Sequence, residues 1–228
     1  MNNYRKFIRF ISIGFLGIGL GVSAGCSDVT TEHLLGDPAA NPPDPALFGT
    51  WYLADEDDTI AILRMRPIDT GVSLLEDGAE VTTVTEATLF LLNTGEENGG
   101  STSVSWMKHH VFTTEQLGAS YLNTTFVAAG PEADDSDDGM EGTRIFRYEW
   151  INDEQLMLWS MSADNMVDAI ETRQIEGEVT RSRFSKDVHL TASSEELLLF
   201  LAKSPPEEVF PENSKAGPFQ RLIQVTDD

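Results

Sequence analysis

Cysteine is nearly absent: Cys26 is the only one in 228 residues, which excludes an intramolecular disulfide framework and any site built from several thiolates. Basic residues are scarce as well, 15 Lys plus Arg against 38 Asp plus Glu. A surface of that sign repels phosphate backbones and anionic head groups, which argues against nucleic acid as a partner and against a protein face lying flat on lipid. Cationic partners or divalent ions remain compatible with it, and so does a purely solubilising role. The run Phe10 to Val22 has 13 residues and carries Gly14, Gly17, Gly19 and Gly21. That is short of the roughly 18 to 25 apolar residues of a membrane-spanning helix.

Catalytic and cofactor signatures are also missing. Gly21-Val22-Ser23-Ala24-Gly25 matches the nucleophile-elbow string, but that motif works only on a strand-to-helix turn of an α/β sheet. His109 and His110 are adjacent, so on a strand they point to opposite faces and share no metal. Pairs such as Asp57-Asp58 and Glu195-Glu196 are too common in so acidic a chain to nominate a glycosidase dyad. The Gly95–Gly100 turn holds Glu96 and Glu97, which oppose phosphate binding. Asp134-Asp135-Ser136-Asp137-Asp138-Gly139 resembles the start of an EF-hand loop, but its twelfth position is Ile145, where a bidentate Glu is required. The acidic loop 132–141 therefore reads as a solvated hairpin connection. The expectation is a protein without cofactor or metal, and not an enzyme.

What is present begins at the N-terminus. Arg5, Lys6 and Arg9 precede the apolar run, and small residues lead from it to Cys26, the layout of a secretory signal. Ala24-Gly25-Cys26 resembles the lipobox of bacterial lipoproteins. That resemblance implies cleavage after residue 25, with a diacylglycerol on the sulfur of Cys26 and acylation of its amine. A thiolate is the nucleophile suited to accept the lipid; the other reading of Cys26 is a free or intermolecularly paired thiol. Two or three acyl chains, at about 0.8 kcal/mol per buried methylene, hold a protein on a membrane almost permanently. Ser27, not Asp, follows the cysteine, and by resemblance to enteric lipoproteins this favours the periplasmic face of the outer membrane. Removing residues 1–25 takes away three of the 15 basic residues and no acidic one, so the mature chain is more acidic still.

Residues 26–46 read as the lipidated cysteine plus a tether. Asp37-Pro38 and Asn41-Pro42-Pro43-Asp44-Pro45 remove backbone donors and hold φ near its extended value, so Thr31 to Pro45 is expected to be stiff and solvated, without core contacts. Residues 47–228 then form one globular domain. Short runs rich in Val, Ile, Thr and aromatics predict strands at Gly49–Leu53, Thr59–Met65, Glu80–Thr85, Ala87–Leu92, Ser103–Phe112, Ser120–Val127, Arg144–Ile151 and Gln155–Met161, with a closing strand at Phe219–Val225. In Ile145–Ile151 the aromatics Phe146, Tyr148 and Trp150 share one face, which marks it as buried. Asn152-Asp153 fits a tight reversal into the next strand. Two helices are predicted: Ala163 to Arg173, capped by Ser162, and a run opened by the capping box Ser193/Glu196 and ended by Pro205-Pro206. The fold class is mainly β, a single antiparallel barrel or strongly curved sheet of about eight or more strands, with two short helices in the C-terminal third.

Gly49-Thr50-Trp51 at the first strand resembles the Gly-x-Trp opening of lipocalins. The resemblance implies that Trp51 plugs the closed end of a barrel while Arg221, on the last strand, packs over it. The alternative for Trp51 is an ordinary buried core aromatic. Tyr121-Leu122-Asn123, Arg147-Tyr148 and Leu190 to Leu197 look like small bacterial lipoproteins, which brings no activity with it. Two functions follow. One is a membrane-tethered module binding a hydrophobic or amphipathic ligand in its barrel. The other is a structural or interaction protein with a packed core whose acidic face engages a basic envelope protein.

Overall fold

The computed structural model describes residues 27–38, 40–54, 59–69, 83–93, 103–129, 142–183 and 185–223. Its strands are β1 (Val29–Thr31), β2 (Gly49–Ala54), β3 (Thr59–Asp69), β4 (Thr83–Asn93), β5 (Ser103–Gln116), β6 (Ala119–Ala129), β7 (Thr143–Asn152), β8 (Gln155–Ser160), β9 (Gly177–Arg181), β10 (Lys186–Leu190) and β11 (Lys215–Ile223). Three helices, α1 (Ala163–Glu171), α2 (Ser194–Lys203) and α3 (Pro206–Val209), lie between β8 and β11. Eight strands close into an antiparallel barrel. β2 to β8 follow one another in order, β11 inserts between β8 and β2, and β6 pairs with both β5 and β7.

Alternation along the strands decides what goes inside. Cross-strand partners such as Trp51↔Leu63, Leu63↔Leu89 and Leu89↔Met107 put one apolar residue of each strand on the inner face. With Leu122, Phe146, Tyr148, Leu156, Leu158 and Phe219 they form one core cluster. The Glu80–Thr85 and Ala87–Leu92 predictions merge here, because β4 runs unbroken through Glu86. Glu86 stays in the ladder on the outer face, where Arg66 (2.7 Å) and Lys108 (3.7 Å) neutralise its carboxylate. Residues 80–82, 224 and 225 of the predicted strands lie outside the described residues. β11 begins earlier than expected, at Lys215, and shifts register between Ala216 and Phe219, where Pro218 has no N–H for the ladder.

A second core lies outside the barrel wall. β6, β7 and β8 are apolar on both faces: Tyr121, Ile145, Met157 and Trp159 point outward and pack with Met166, Val188, Leu190, Leu197, Phe200 and Phe210. The helices form where predicted. Ser162 Oγ accepts from the Asn165 amide (3.3 Å) at the start of α1, and the Ser193/Glu196 capping box opens α2. Asn152 Oδ1 accepts from the Glu154 amide (2.9 Å) in the turn between β7 and β8. Three strands were missed: β9 and β10 form a hairpin, and β1 runs parallel to β10 and touches β7 at Thr31↔Thr143. None of them alternates over a length that stands out in a sequence.

The expected tether is part of the fold. Leu35 and Leu47 have no accessible surface at all. Leu35 donates its amide to Asn123 Oδ1 (2.6 Å), and its carbonyl accepts from Thr114 Oγ1 (2.8 Å) and Asn123 Nδ2 (3.2 Å). Thr113 Oγ1 donates to the Pro42 carbonyl (3.2 Å), and the Tyr148 hydroxyl donates to Asp44 Oδ2 (3.2 Å). The prolines remove donors, as expected, but the carbonyls of the segment find side-chain donors: Thr114 and Asn123 on the outer face hold Leu35, and Thr113, on the inner face beside Leu122, holds Pro42. Gly36 allows the close approach: at φ 78° a Cβ there would sit 2.8 Å from Thr114 Cγ2. The globular unit therefore includes the stretch from Asp28 to Leu47, and residue 47 is not its boundary. Replacing Leu35 with Ala is expected to destabilise the protein by about 2–5 kcal/mol in urea titrations, whereas a solvated tether would tolerate the change without effect.

Candidate functional site

The two resemblance residues meet at the seam where the last strand of the barrel joins the first. Arg221 and Trp51 are register partners across β11 and β2, and the guanidinium carbon lies 4.4 Å from the centre of the Trp51 ring. Trp51 is fully buried and donates Nε1–H to the Leu47 carbonyl (2.9 Å). Trp150, from the aromatic face of β7, stands 5.5 Å from Trp51 and 5.8 Å from Arg221. Arg221 also donates to the Ala46 carbonyl, so a one-turn 3-10 helix at Pro45–Leu47 and the two indoles surround one cation. Such contacts contribute about 0.5–2 kcal/mol each, more as they lose water. Burial, with Asp44 beside it, raises the pKa of Tyr148, which keeps that phenol protonated as a donor.

A polar group sits deeper in the barrel. His109 is 3% exposed and faces inward between Ala87 and Phe126, while His110 points outward beside Glu86, the opposed arrangement that adjacency on a strand demands. Burial, then the positive charges of Arg144 and His110, lower the His109 pKa to about 3. The ring is therefore neutral at physiological pH. Thr85 Oγ1, also fully buried, has no hydrogen-bond partner among the described residues. Arg144 is almost fully covered and holds Asp28 through Nε and Nη2, the closest contact being 2.5 Å. That pair fixes the segment that follows Cys26 to the barrel wall.

The remaining candidate surface is the mouth, the end from which the connections 55–58, 94–102 and 130–141 depart. Leu53, Ala61 and Leu91 form one inward row across β2, β3 and β4. Leu53, Leu91 and Ala129 are only partly buried, whereas Ala61 between the first two, and Leu63, Ala87, Leu156 and Leu158 further along the inner face, have no accessible surface. The mouth is therefore an apolar rim over a filled floor. Outside the barrel, a groove of about 300 Å³ between α1, α2 and α3 is lined by Met166, Phe200 and Val209 together with Asp168 and Glu208.

Of the residues that the sequence singled out, the structure brings Trp51 and Arg221 together. Cys26 and the acidic loop 132–141 lie outside the described residues. Sequence reasoning missed Trp150 as a neighbour of Arg221, although its place on the aromatic face of β7 pointed inward. It missed the Asp28–Arg144 pair altogether, since 116 residues separate the two and no periodicity connects them.

Arg221→Ala is expected to lower stability by about 1–3 kcal/mol in chemical denaturation and to alter the near-UV circular dichroism of the two indoles. For His109 the unfolded chain takes up its proton near pH 6.5 and the native one only near 3, so the native state loses stability as pH falls through that window. A stability profile from pH 7 to pH 5 should drop by on the order of 1 kcal/mol per unit in the lower part of the range, and His109→Leu should flatten it. An unchanged slope would show that His109 is not buried as a neutral ring. No protein-family model matches this chain, nor does any curated protein or solved structure.

Proposed function

We propose that the chain is a bacterial envelope lipoprotein, held at the periplasmic face of the outer membrane by acyl groups on Cys26, whose barrel takes a hydrophobic or amphipathic ligand at its mouth. The observation that carries the binding half is the partial exposure of three apolar inward residues, Leu53, Leu91 and Ala129, near the strand ends at the mouth, while Leu63, Ala87, Leu156 and Leu158 on the same inner face are fully covered. An apolar cup with few polar groups is the usual lining of a small-molecule site. Its shallowness limits the ligand to a short apolar group, such as the end of an acyl chain, unless core side chains move. The anchor half rests on the basic start, the apolar run and Ala24-Gly25-Cys26. Among the described residues no helix is long and apolar enough to cross a membrane, so attachment in this reading falls to the lipid.

The filled floor also favours a second reading, a structural or interaction protein with a packed core whose acidic surface engages a basic envelope protein. Native mass spectrometry separates the two. In the first reading a small molecule co-purifies with the protein, and Leu91→Glu abolishes that extra mass while leaving the fold intact. A bare mass from several preparations leaves the interaction reading. Cys26→Ala should abolish labelling by an alkyne fatty acid and release the protein from membranes; a variant that stays bound removes the anchor.

A further inference from the structure

The segment that follows Cys26 is held to the fold from Ser27 onward. Ser27 Oγ accepts from the Lys186 amide (3.2 Å), the Asp28 carbonyl accepts from the Val188 amide (2.8 Å), and the Asp28 carboxylate is clamped by Arg144. Val29 to Thr31 then pair with Val188 to Leu190. Consecutive Cα atoms are only about 3.8 Å apart, so an acyl group on the residue before Ser27 leaves the protein beside the start of β10. No slack chain separates that lipid from the fold. The part of the surface around Ser27 must therefore lie against any membrane that holds the anchor.

That surface is the tip of the β9–β10 hairpin, whose described residues are Arg181, Ser182, Arg183, Ser185 and Lys186. It holds three of the chain's 15 basic residues and no acidic one, in a protein with 38 acidic residues. The Ser182 amide donates to the Ser185 carbonyl (2.9 Å), and the two hydroxyls are 2.7 Å apart, which fixes the turn. Arg181 pairs with Glu171 and Lys186 with Asp164, each at 2.6 Å and each exposed. Exposed pairs of this kind are weak, so a phosphate can take the place of either carboxylate. A guanidinium matches a phosphate with two parallel hydrogen bonds. The rest of so acidic a chain meets phosphate with net repulsion.

We infer that the β9–β10 tip, through Arg181, Arg183 and Lys186, rests on the phospholipid head groups of the membrane that carries the Cys26 anchor, and so fixes the orientation of the barrel. The inference deepens the lipoprotein reading and rests on it. The test uses the full-length, lipid-modified protein reconstituted into vesicles of phosphatidylglycerol and phosphatidylethanolamine. With Cys26 blocked by its lipid, a nitroxide is placed at Ser182→Cys, at Thr180→Cys in case the first disturbs the turn, and at Leu117→Cys on the turn between β5 and β6. Accessibility to a water-soluble nickel chelate and to oxygen gives the depth of each label.

The expected result is several-fold protection from the chelate at the two tip positions and none at the β5–β6 turn, with Arg181→Glu/Arg183→Glu lifting the tip labels into water while the protein still floats with the vesicles. Tip labels that are open to the chelate in vesicle-bound protein overturn the inference and leave the anchor intact. A chain that neither floats nor carries an acyl group on Cys26 removes the lipoprotein reading, and this orientation with it.

Discussion

The barrel depends on one contact between distant parts of the chain, the pairing of β11 with β2 in which Arg221 lies opposite Trp51. β2 through β8 form a simple meander, and each new strand needs only a turn to find the last. The ring closes only when the chain returns from its excursion through three helices and two further strands. Without that return, β2 and β8 would both present unpaired edges, and the inner face would be open to water. Trp51 and Trp150 around a single guanidinium fill the space at this seam; Leu47 accepts from the buried Trp51 indole, which would otherwise be unsatisfied, and Ala46 accepts from Arg221.

The excursion between β8 and β11 has its own physical basis. β6, β7 and β8 carry apolar residues on both faces, so closing the ring alone would leave Tyr121, Ile145, Met157 and Trp159 in water. The helices, the β9–β10 hairpin and the N-terminal segment bury that outer face. At about 25 cal/mol per Å² of apolar surface, a second core of this size is as much a part of stability as the barrel interior. It explains why Leu35 and Val29, close to the N-terminus, are as deeply covered as strand residues. Charge supports the same joint, because Arg144 is neutralised by Asp28 at the point where the N-terminal strand meets the wall.

Both proposals about function follow from how completely space is filled. A covered floor leaves the rim as the place for a ligand, and an N-terminal segment packed from Ser27 onward leaves no leash between a lipid and the fold. A module of this build would sit flush on its membrane, with its orientation set by the few cations next to the anchor.

Local pattern was enough for most of the elements. Alternation in Phe146, Tyr148 and Trp150, the Ser193/Glu196 capping box and the Asn152-Asp153 turn each depend on neighbours within a few residues, so the strands of the barrel, both main helices and the mainly β class were legible in the sequence. The site was legible only in part. Trp51 and Arg221 were singled out by a resemblance, and the third member, Trp150, only as a buried aromatic. The sequence misjudged the proline-rich stretch because proline reports which donors are missing and says nothing about which distant side chains will satisfy the carbonyls. The merging of two short apolar runs into β4, the docking of β1 against β10, the Asp28–Arg144 pair and the filling of the barrel were decided by tertiary structure. Each requires residues far apart in the chain to share one wall, and that proximity exists only once the ring has closed.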